Sequence, residues 1–533
     1  MTPSSRGTTA LAGLAAGAVT LGVAELLAGL LGRVTTVSGT PSPLVAVGDA
    51  FVDLTPPWLK DAAVAVFGTA DKTALFVGIG LVLAALCSGI GLLARRHLAA
   101  ALVAFALVGA LGVAAVLTRP GAGVTDALPT VAGVVVGVLV LAWFNRDMTT
   151  TAVAGTPGDV TRRSVLVGGG ALAVLGVLGI VAGRVLSGAG EAVRAARDAF
   201  VVPRVASPVT VPAAADPGVP GQTPYRTPND DFYRIDTALV VPQVDPGTWR
   251  LRVHGLVERE VEIDMVELLD QPMVEALVTL TCVSNEVGGS LAGNAVWTGW
   301  PVRELLTRAR PLPEADMVLS TSADGWTAGT PLEVLTDERN ALLAVGMKGE
   351  PLPPQHGFPV RMVVPGLYGY VSATKWLVDL KVTRFADDEG YWTPRGWSER
   401  GPIKTASRID IPRGGPIDAG PTVVAGVAWA QHRGITAVEV RVDDGEWQPA
   451  TLAAEPTVDS WRMWTLKWDA EPGEHTITVR ATDGTGEVQT QRLAPPAPDG
   501  SSGLHSVEVD VRGRKRLRTS DHPRTSRTPD QRV

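Results

Sequence analysis

The chemistry of this chain starts from Cys282. It is one of two cysteines, and the other, Cys87, lies inside an apolar run. Cys282 follows an apolar, strand-like approach from Val274 to Leu280. It precedes Ser284, Asn285 and the pair Gly288-Gly289, small residues that let a backbone come close to a ligand. A lone thiol in such a loop has two readings: a buried, inert side chain, or one ligand to a soft metal whose other ligands come from a cofactor. There is no CxxC and no HExxH, so the sequence carries no zinc-type ligand set. Further on, Gly349 to Trp376 gathers His356, Arg361, Ser372 and Lys375 among glycines and prolines. Arg361 and Lys375 stand beside Val360, Val363, Val364 and Trp376, where an unpaired charge would be costly.

Together with Asn294 to Gly299 (NAVWTG), these segments resemble the molybdopterin-binding domain of the sulfite oxidase family, over about Asn229 to Asp410. The resemblance implies an α+β domain and a molybdenum–molybdopterin cofactor with Cys282 as the metal's protein thiolate. A cofactor ending in phosphate calls for fixed positive charge and backbone N–H groups. His356, Arg361, Ser372 and Lys375 match the family positions that supply them. Ser322 matches a further pterin contact, as do Asp230, Tyr233 and Arg234 in Thr227–Arg234. Arg234, Tyr391, Trp392 and Arg400 are the substrate-pocket candidates. The implied reaction is a two-electron oxygen-atom transfer on a small sulfur-containing or other oxo substrate.

The sequence departs from the family at one place. In sulfite oxidases the asparagine after the cysteine is followed by two arginines; here Asn285 is followed by Glu286 and Val287. This is expected to take positive charge out of the pocket and add a negative one, which disfavours sulfite. No CxxCH haem site and no glycine-rich dinucleotide fingerprint occurs, so a separate electron partner is expected, a cytochrome or a quinone-linked membrane protein. The competing reading from another class is a cofactor-free, membrane-tethered binding protein that keeps the fold.

The chain that must position these groups has 533 residues, enough for several domains. Hydrophobic residues make up 46% and mean hydropathy is positive, which points part of it into lipid. The net charge of -7 gives no sign of a nucleic-acid surface. Five apolar runs, 10–31, 74–93, 98–117, 127–144 and 164–186, are each near the roughly 20 residues a helix needs to cross a bilayer. Arg95-Arg96, Arg146 and Arg162-Arg163 fall in alternate loops, which the positive-inside rule assigns to the cytoplasm. Everything after Leu186 is then outside it. Thr161 to Leu166 (TRRSVL) also resembles a twin-arginine export signal, which serves domains folded before crossing. Glu25 is an ionisable group at membrane depth with no role assigned.

Residues 191–222 carry Pro203, Pro208, Pro212, Pro217 and Pro220 and read as a semi-rigid spacer holding the next domain off the membrane. The molybdopterin-type domain occupies 223–410. From 411 to 511 the pattern becomes period two, with turn signals at Asp443-Asp444-Gly445 and Asp483-Gly484. This predicts an all-β, immunoglobulin-like sandwich, resembling the dimerisation domain of the same family and so a surface for a homodimer. Residues 512–533 read as a disordered basic tail.

Overall fold

A computed structural model describes residues 6–513 except 35–39, 57–58, 60–62, 64–65, 68–69, 120, 154–158 and 187–188. The side chains of Thr161 to Leu166, and the tail from 514 on, lie outside the described residues. The N-terminal part is helical: α1 (Arg6–Val34), α2 (Pro43–Leu54), α3 (Asp71–Ala94), α4 (Leu98–Leu117), α5 (Leu128–Val153), α6 (Asp159–Leu186) and α7 (Ala189–Ala199). Among the described residues, five of these helices are long and apolar enough to cross a membrane.

Glycine sets how these helices meet. A Cβ on Gly22 would collide with Gly176, and one on Gly29 with Gly183. Both contacts advance by the same step along α1 and α6, so these helices run parallel, backbone against backbone, as small residues in lipid permit. Gly13 meets Gly91 while Gly17 meets Cys87, so α1 and α3 are antiparallel. Gly109 meets Val134 and Gly112 meets Thr130, so α4 and α5 are too. Direction therefore alternates through the bundle. The C-terminal ends of α1, α4 and α6 gather at one end with the N-terminal ends of α3 and α5. Arg95-Arg96, between α3 and α4, falls at the other end.

Glu25 has a structural task. Its carboxylate accepts from Ser42 Oγ at 2.7 and 2.9 Å and from the Leu44 backbone N–H at 3.2 Å. Ser42 in turn caps α2 through the Val45 N–H at 3.2 Å, a favoured use of serine. The buried Glu25 side chain of α1 thus fixes the start of α2.

The proline-rich segment does not stand the next domain off. Its Val209 N–H donates to Glu275 at 2.8 Å, Ala214 O accepts from the Ala454 N–H at 2.9 Å, and Ala215 is fully buried. Prolines give it extended backbone, and its Val and Ala side chains find apolar surface on both following domains. It is a strap rather than a spacer.

The central domain is built on two sheets. One contains β1 (Arg250–Gly255), β2 (Val261–Asp264), β5 (Met317–Ser322), β6 (Thr327–Pro331) and β10 (Leu377–Thr383) in the order β2-β1-β10-β5-β6. The other runs β3 (Val274–Thr281), β4 (Ala292–Pro301), β7 (Leu342–Met347), β8 (Glu350–Pro351), with β9 (Arg361–Val363) beside β7. All of β4 is buried, because partners on both edges and packing on both faces cover it. After Pro301 the chain turns into a helix, Val302–Ala309. It buries Val302, Leu305, Leu306 and Ala309, the one-face spacing of an amphipathic helix. Trp249, Trp300 and Val253 share this core with Leu380 and Val382.

The C-terminal domain has a four-stranded and a five-stranded sheet, β11-β13-β17-β16 and β12-β19-β18-β14-β15. Their strands are β11 (Ala406–Ile411), β12 (Gly415–Asp418), β13 (Gly420–Trp429), β14 (Ile435–Val442), β15 (Gln448–Pro449), β16 (Thr451–Leu452), β17 (Arg462–Ala470), β18 (Gly473–Asp483) and β19 (His505–Arg512). Alternate residues of both sheets, such as Val424, Trp464, Val440, Ile477 and Val479, share one core. The period-two pattern predicts such a layer pair. Arg512, assigned to the tail on sequence, closes β19, where Arg512 pairs with Asp418.

Candidate active site

The site forms where the ends of β3 and β5 meet three loops. An open cavity of about 160 Å³ lies there. Cys282, Tyr233, Ser322, His356, Arg361 and Lys375 all line it, with Trp392 near the rim. Sequence separations of up to about 140 positions collapse into one wall.

Cys282 sits one residue past β3, where its N–H donates to Leu291 O at 2.9 Å and its carbonyl accepts from the Asn285 N–H at 3.1 Å. The thiol is 8% exposed. Burial pushes its pKa up, against hydrogen bonds from the Ser284 backbone and hydroxyl. The loop is fastened from the C-terminal domain. Arg408 donates to Gly289 O at 2.8 Å, Ser501 Oγ to Asn285 O at 2.6 Å, and His505 packs against Gly288, whose φ is +77°. Farther back on β3, Thr279 O accepts from Gln431 at 2.8 Å.

The deep end of the cavity is basic. Arg361 is 5% exposed and donates only to carbonyls: His356 O at 3.1 Å, Ala373 O and Met362 O at 3.3 Å. It lies 5.0 Å over the Trp297 ring, and no carboxylate of the described residues pairs with it. Burial brings its pKa down to about 10. Lys375 comes down to about 8 through burial, against Asp236, whose Oδ2 lies 3.0 Å from its Nζ. His356 falls to about 3 because it is buried beside Arg361 and Lys375, so its ring is neutral at ordinary pH. Tyr233 is raised by burial and by Cys282. Ser322 Oγ is buried without a partner among the described residues.

The chemistry of this donor set fits a molybdopterin. A buried guanidinium without an acid, a buried ammonium and an unpartnered hydroxyl on one wall ask for an anionic, hydrogen-bonding ligand. Among the described residues no three His, Cys, Asp or Glu groups gather for a metal. A metal bound to Cys282 would therefore need a carrier supplying its other ligands.

Other sequence-selected residues fall outside the wall. Asp230 is exposed. Arg234 is 42% exposed and pairs with Asp236 at 2.8 Å. Ser372 is fully buried and spends its hydroxyl on Tyr368 O at 2.9 Å. Arg400 is half exposed, over the Phe385 ring, with Glu399 and Glu333 at 3.7 and 4.0 Å. Tyr391 points to Asp53 at 3.3 Å, away from the cavity that Trp392 lines. Glu286 and Val287 do not enter the cavity. They line a separate small recess with Tyr368 and Gly503, because Asn285 turns that stretch toward the C-terminal domain. The acidic residues of the cavity wall are instead Asp236 and Asp324, with Trp326 and Trp397 at the mouth. None of these four was singled out from sequence. The nearest signal was the position of Asp236 two residues after Arg234.

Residues 238–392 match the family described as the oxidoreductase molybdopterin binding domain. The chain is 32% identical over 321 residues to the mitochondrial sulfite oxidase of Mus musculus, covering 51% of this chain and 58% of that protein. It is 33% identical to the uncharacterized oxidoreductase YuiH of Bacillus subtilis, covering 33% of this chain and 86% of that protein. The crystal structure of the sulfane dehydrogenase SoxCD from Paracoccus pantotrophus aligns with a TM-score of 0.47 at 22% identity, over 58% of this chain and 88% of that one. The chain thus spans little more than half the length of the mouse enzyme.

Proposed function

The chain belongs to the sulfite oxidase family of molybdopterin-binding oxidoreductases and takes that family's molybdenum cofactor, and from that premise we propose a membrane-anchored enzyme that transfers an oxygen atom to or from a small sulfur-containing or other oxo substrate. The observation that carries this reading is the convergence of the Cys282 thiol, Tyr233, Ser322 and the basic trio His356, Arg361 and Lys375 on one cavity. Arg361 and Lys375 would hold the anionic end of the pterin, with the neutral His356 ring and Ser322 Oγ as hydrogen-bonding partners, and Cys282 would be the protein ligand to the metal. When bound, the cofactor supplies the two-electron chemistry. The protein's part would be to fix it, with Trp326, Trp392 and Trp397 of the cavity lining limiting water around it.

The alternating helix directions support a five-span anchor. Arg95-Arg96 at the far end supports a catalytic domain outside the cytoplasm. Electrons would pass to or from a cytochrome or a quinone-linked membrane protein. The C-terminal sandwich is read as immunoglobulin-like, and as the surface through which two copies would pair. With Glu286 outside the cavity, sulfite returns as a candidate substrate beside neutral sulfoxides.

The test is to purify the full-length chain in detergent from a host that makes the cofactor. Metal and pterin are measured, then turnover is screened with sulfite and sulfoxides using artificial electron acceptors and donors. Stoichiometric molybdenum and turnover of either substrate class are expected. A folded protein without molybdenum would sink the reading.

A further inference from the structure

The membrane-side helices touch the cavity wall itself. Lys72, in the first turn of α3, places Nζ 3.0 Å from Asp236 Oδ1 and 2.5 Å from Ala238 O. Asp236 lies in the cavity wall between Ile235 and Thr237. Its side chain is 4% exposed, and its other oxygen is shared by Arg234 at 2.8 Å and Lys375 at 3.0 Å. One carboxylate therefore serves three cations. Burial alone would raise it, but Lys375, Arg234 and Lys72 together hold it well below the usual carboxylate range.

A second tie lies on another side of the mouth. Asp53, near the end of α2, pairs with Arg119 at 2.9 Å. It also accepts from the Tyr391 hydroxyl at 3.3 Å, and its carbonyl from Arg395 at 3.4 Å. Trp392, beside Tyr391, lines the cavity. Asp49, one turn earlier, is raised to about 6 by burial, against Arg119, and by the cavity's own Asp324 and by Asp53.

We infer that the membrane-side helices brace the cofactor pocket from outside its lining, with Lys72 as a positioning residue that holds Asp236 so that this carboxylate draws less on Lys375 and leaves it for the anionic end of the ligand. This rests on the molybdopterin reading above. With Lys72 in place, Asp236 Oδ1 is engaged from the membrane side and only Oδ2 reaches Lys375. Without Lys72, a buried carboxylate oxygen loses its partner. The carboxylate then turns its full charge on Lys375 and Arg234 and competes with the ligand for them.

The experiment uses the full-length chain in detergent. Molybdenum and pterin retained during dialysis are compared for wild type, Lys72→Met and Lys72→Arg. Lys72→Met is expected to release both about tenfold faster, the scale of one charge-assisted hydrogen bond, and Lys72→Arg to restore retention. Equal retention in Lys72→Met overturns the inference. A wild type that holds no molybdenum instead overturns the cofactor reading. A second measurement does not depend on Lys72→Met folding. Spin labels go on Val124→Cys and Val266→Cys in a chain otherwise wild type. These sites are 82% and 78% exposed, while Cys87 and Cys282 are 8% exposed. A narrow distance distribution is expected. A broad one would mean that the domain swings free of the helices, and would overturn the inference.

Discussion

The deep end of the cavity and its mouth are built by opposite means. At the deep end, His356, Arg361 and Lys375 come from one stretch of twenty residues. Arg361 there is fixed by backbone carbonyls alone. At the mouth, Asp324, Trp326, Trp392 and Trp397 come from two segments. Asp236, buried between the two regions against Lys375, is tied outward to Lys72 of α3, and the neighbourhood of Trp392 to Asp53 of α2 and Arg119. Carbonyls fix a cation while leaving its charge uncancelled, which suits a permanent anionic ligand. Carboxylates cancel charge and can be rearranged, which suits a rim that substrates cross.

The contrast can be broken or sharpened by substitution. Cys282→Ser should have the largest effect on function: turnover falls to background while detergent size-exclusion shows an intact fold. Retained turnover would remove the thiol from the site. Arg361→Met should have the largest effect on stability. It leaves the carbonyls of His356, Met362 and Ala373 without their donor, a cost of roughly 1–3 kcal/mol, read as a lowered unfolding midpoint. A change within about 0.5 kcal/mol, the range of ordinary surface substitutions, would mean those bonds are dispensable.

The effect of His356 depends on pH. Its folded pKa of about 3 lies below the ordinary 6.5. Its contribution is therefore complete above about pH 6.5 and is lost as pH falls toward 3, by at most about 1.4 kcal/mol per pH unit. His356→Gln should flatten the stability profile between pH 6.5 and 4; an unchanged slope would place the acid sensitivity elsewhere. Arg400→Ala should do least, since exposed pairs of this kind contribute about 0–1 kcal/mol. A tenfold loss of kcat/KM in that variant would move the substrate site outward and undo the contrast.

The same division decides what could be read in advance. The basic residues of the deep end are legible because their segment resembles the family's, and because charges set among Val360, Val363 and Val364 are conspicuous in a sequence. The strands of the C-terminal domain are legible because their alternation is local: the period-two stretch over 411–511 holds β13, β14 and nearly all of β19. Asp236 and Asp324 look like any surface acid until the fold places them, and the partner that gives Asp236 its setting, Lys72, is 164 positions away. The strap was misjudged for a related reason. Proline density reports backbone stiffness but not whether a neighbouring surface awaits it. Sequence places Glu286 in the pocket because it stands where the resembled family has an arginine, and one turn of chain at Asn285 sends it to a separate recess.

The seat of Cys282 has a temporal consequence. Its loop is tied by Arg408 and by Ser501, 216 positions beyond Asn285, with His505 packed against Gly288. A ribosome reaches those codons only after the whole central domain has been read. The nascent central domain therefore lacks its finishing ties while it emerges, and insertion of the metal carrier into a completed seat must wait until the following β domain has been made.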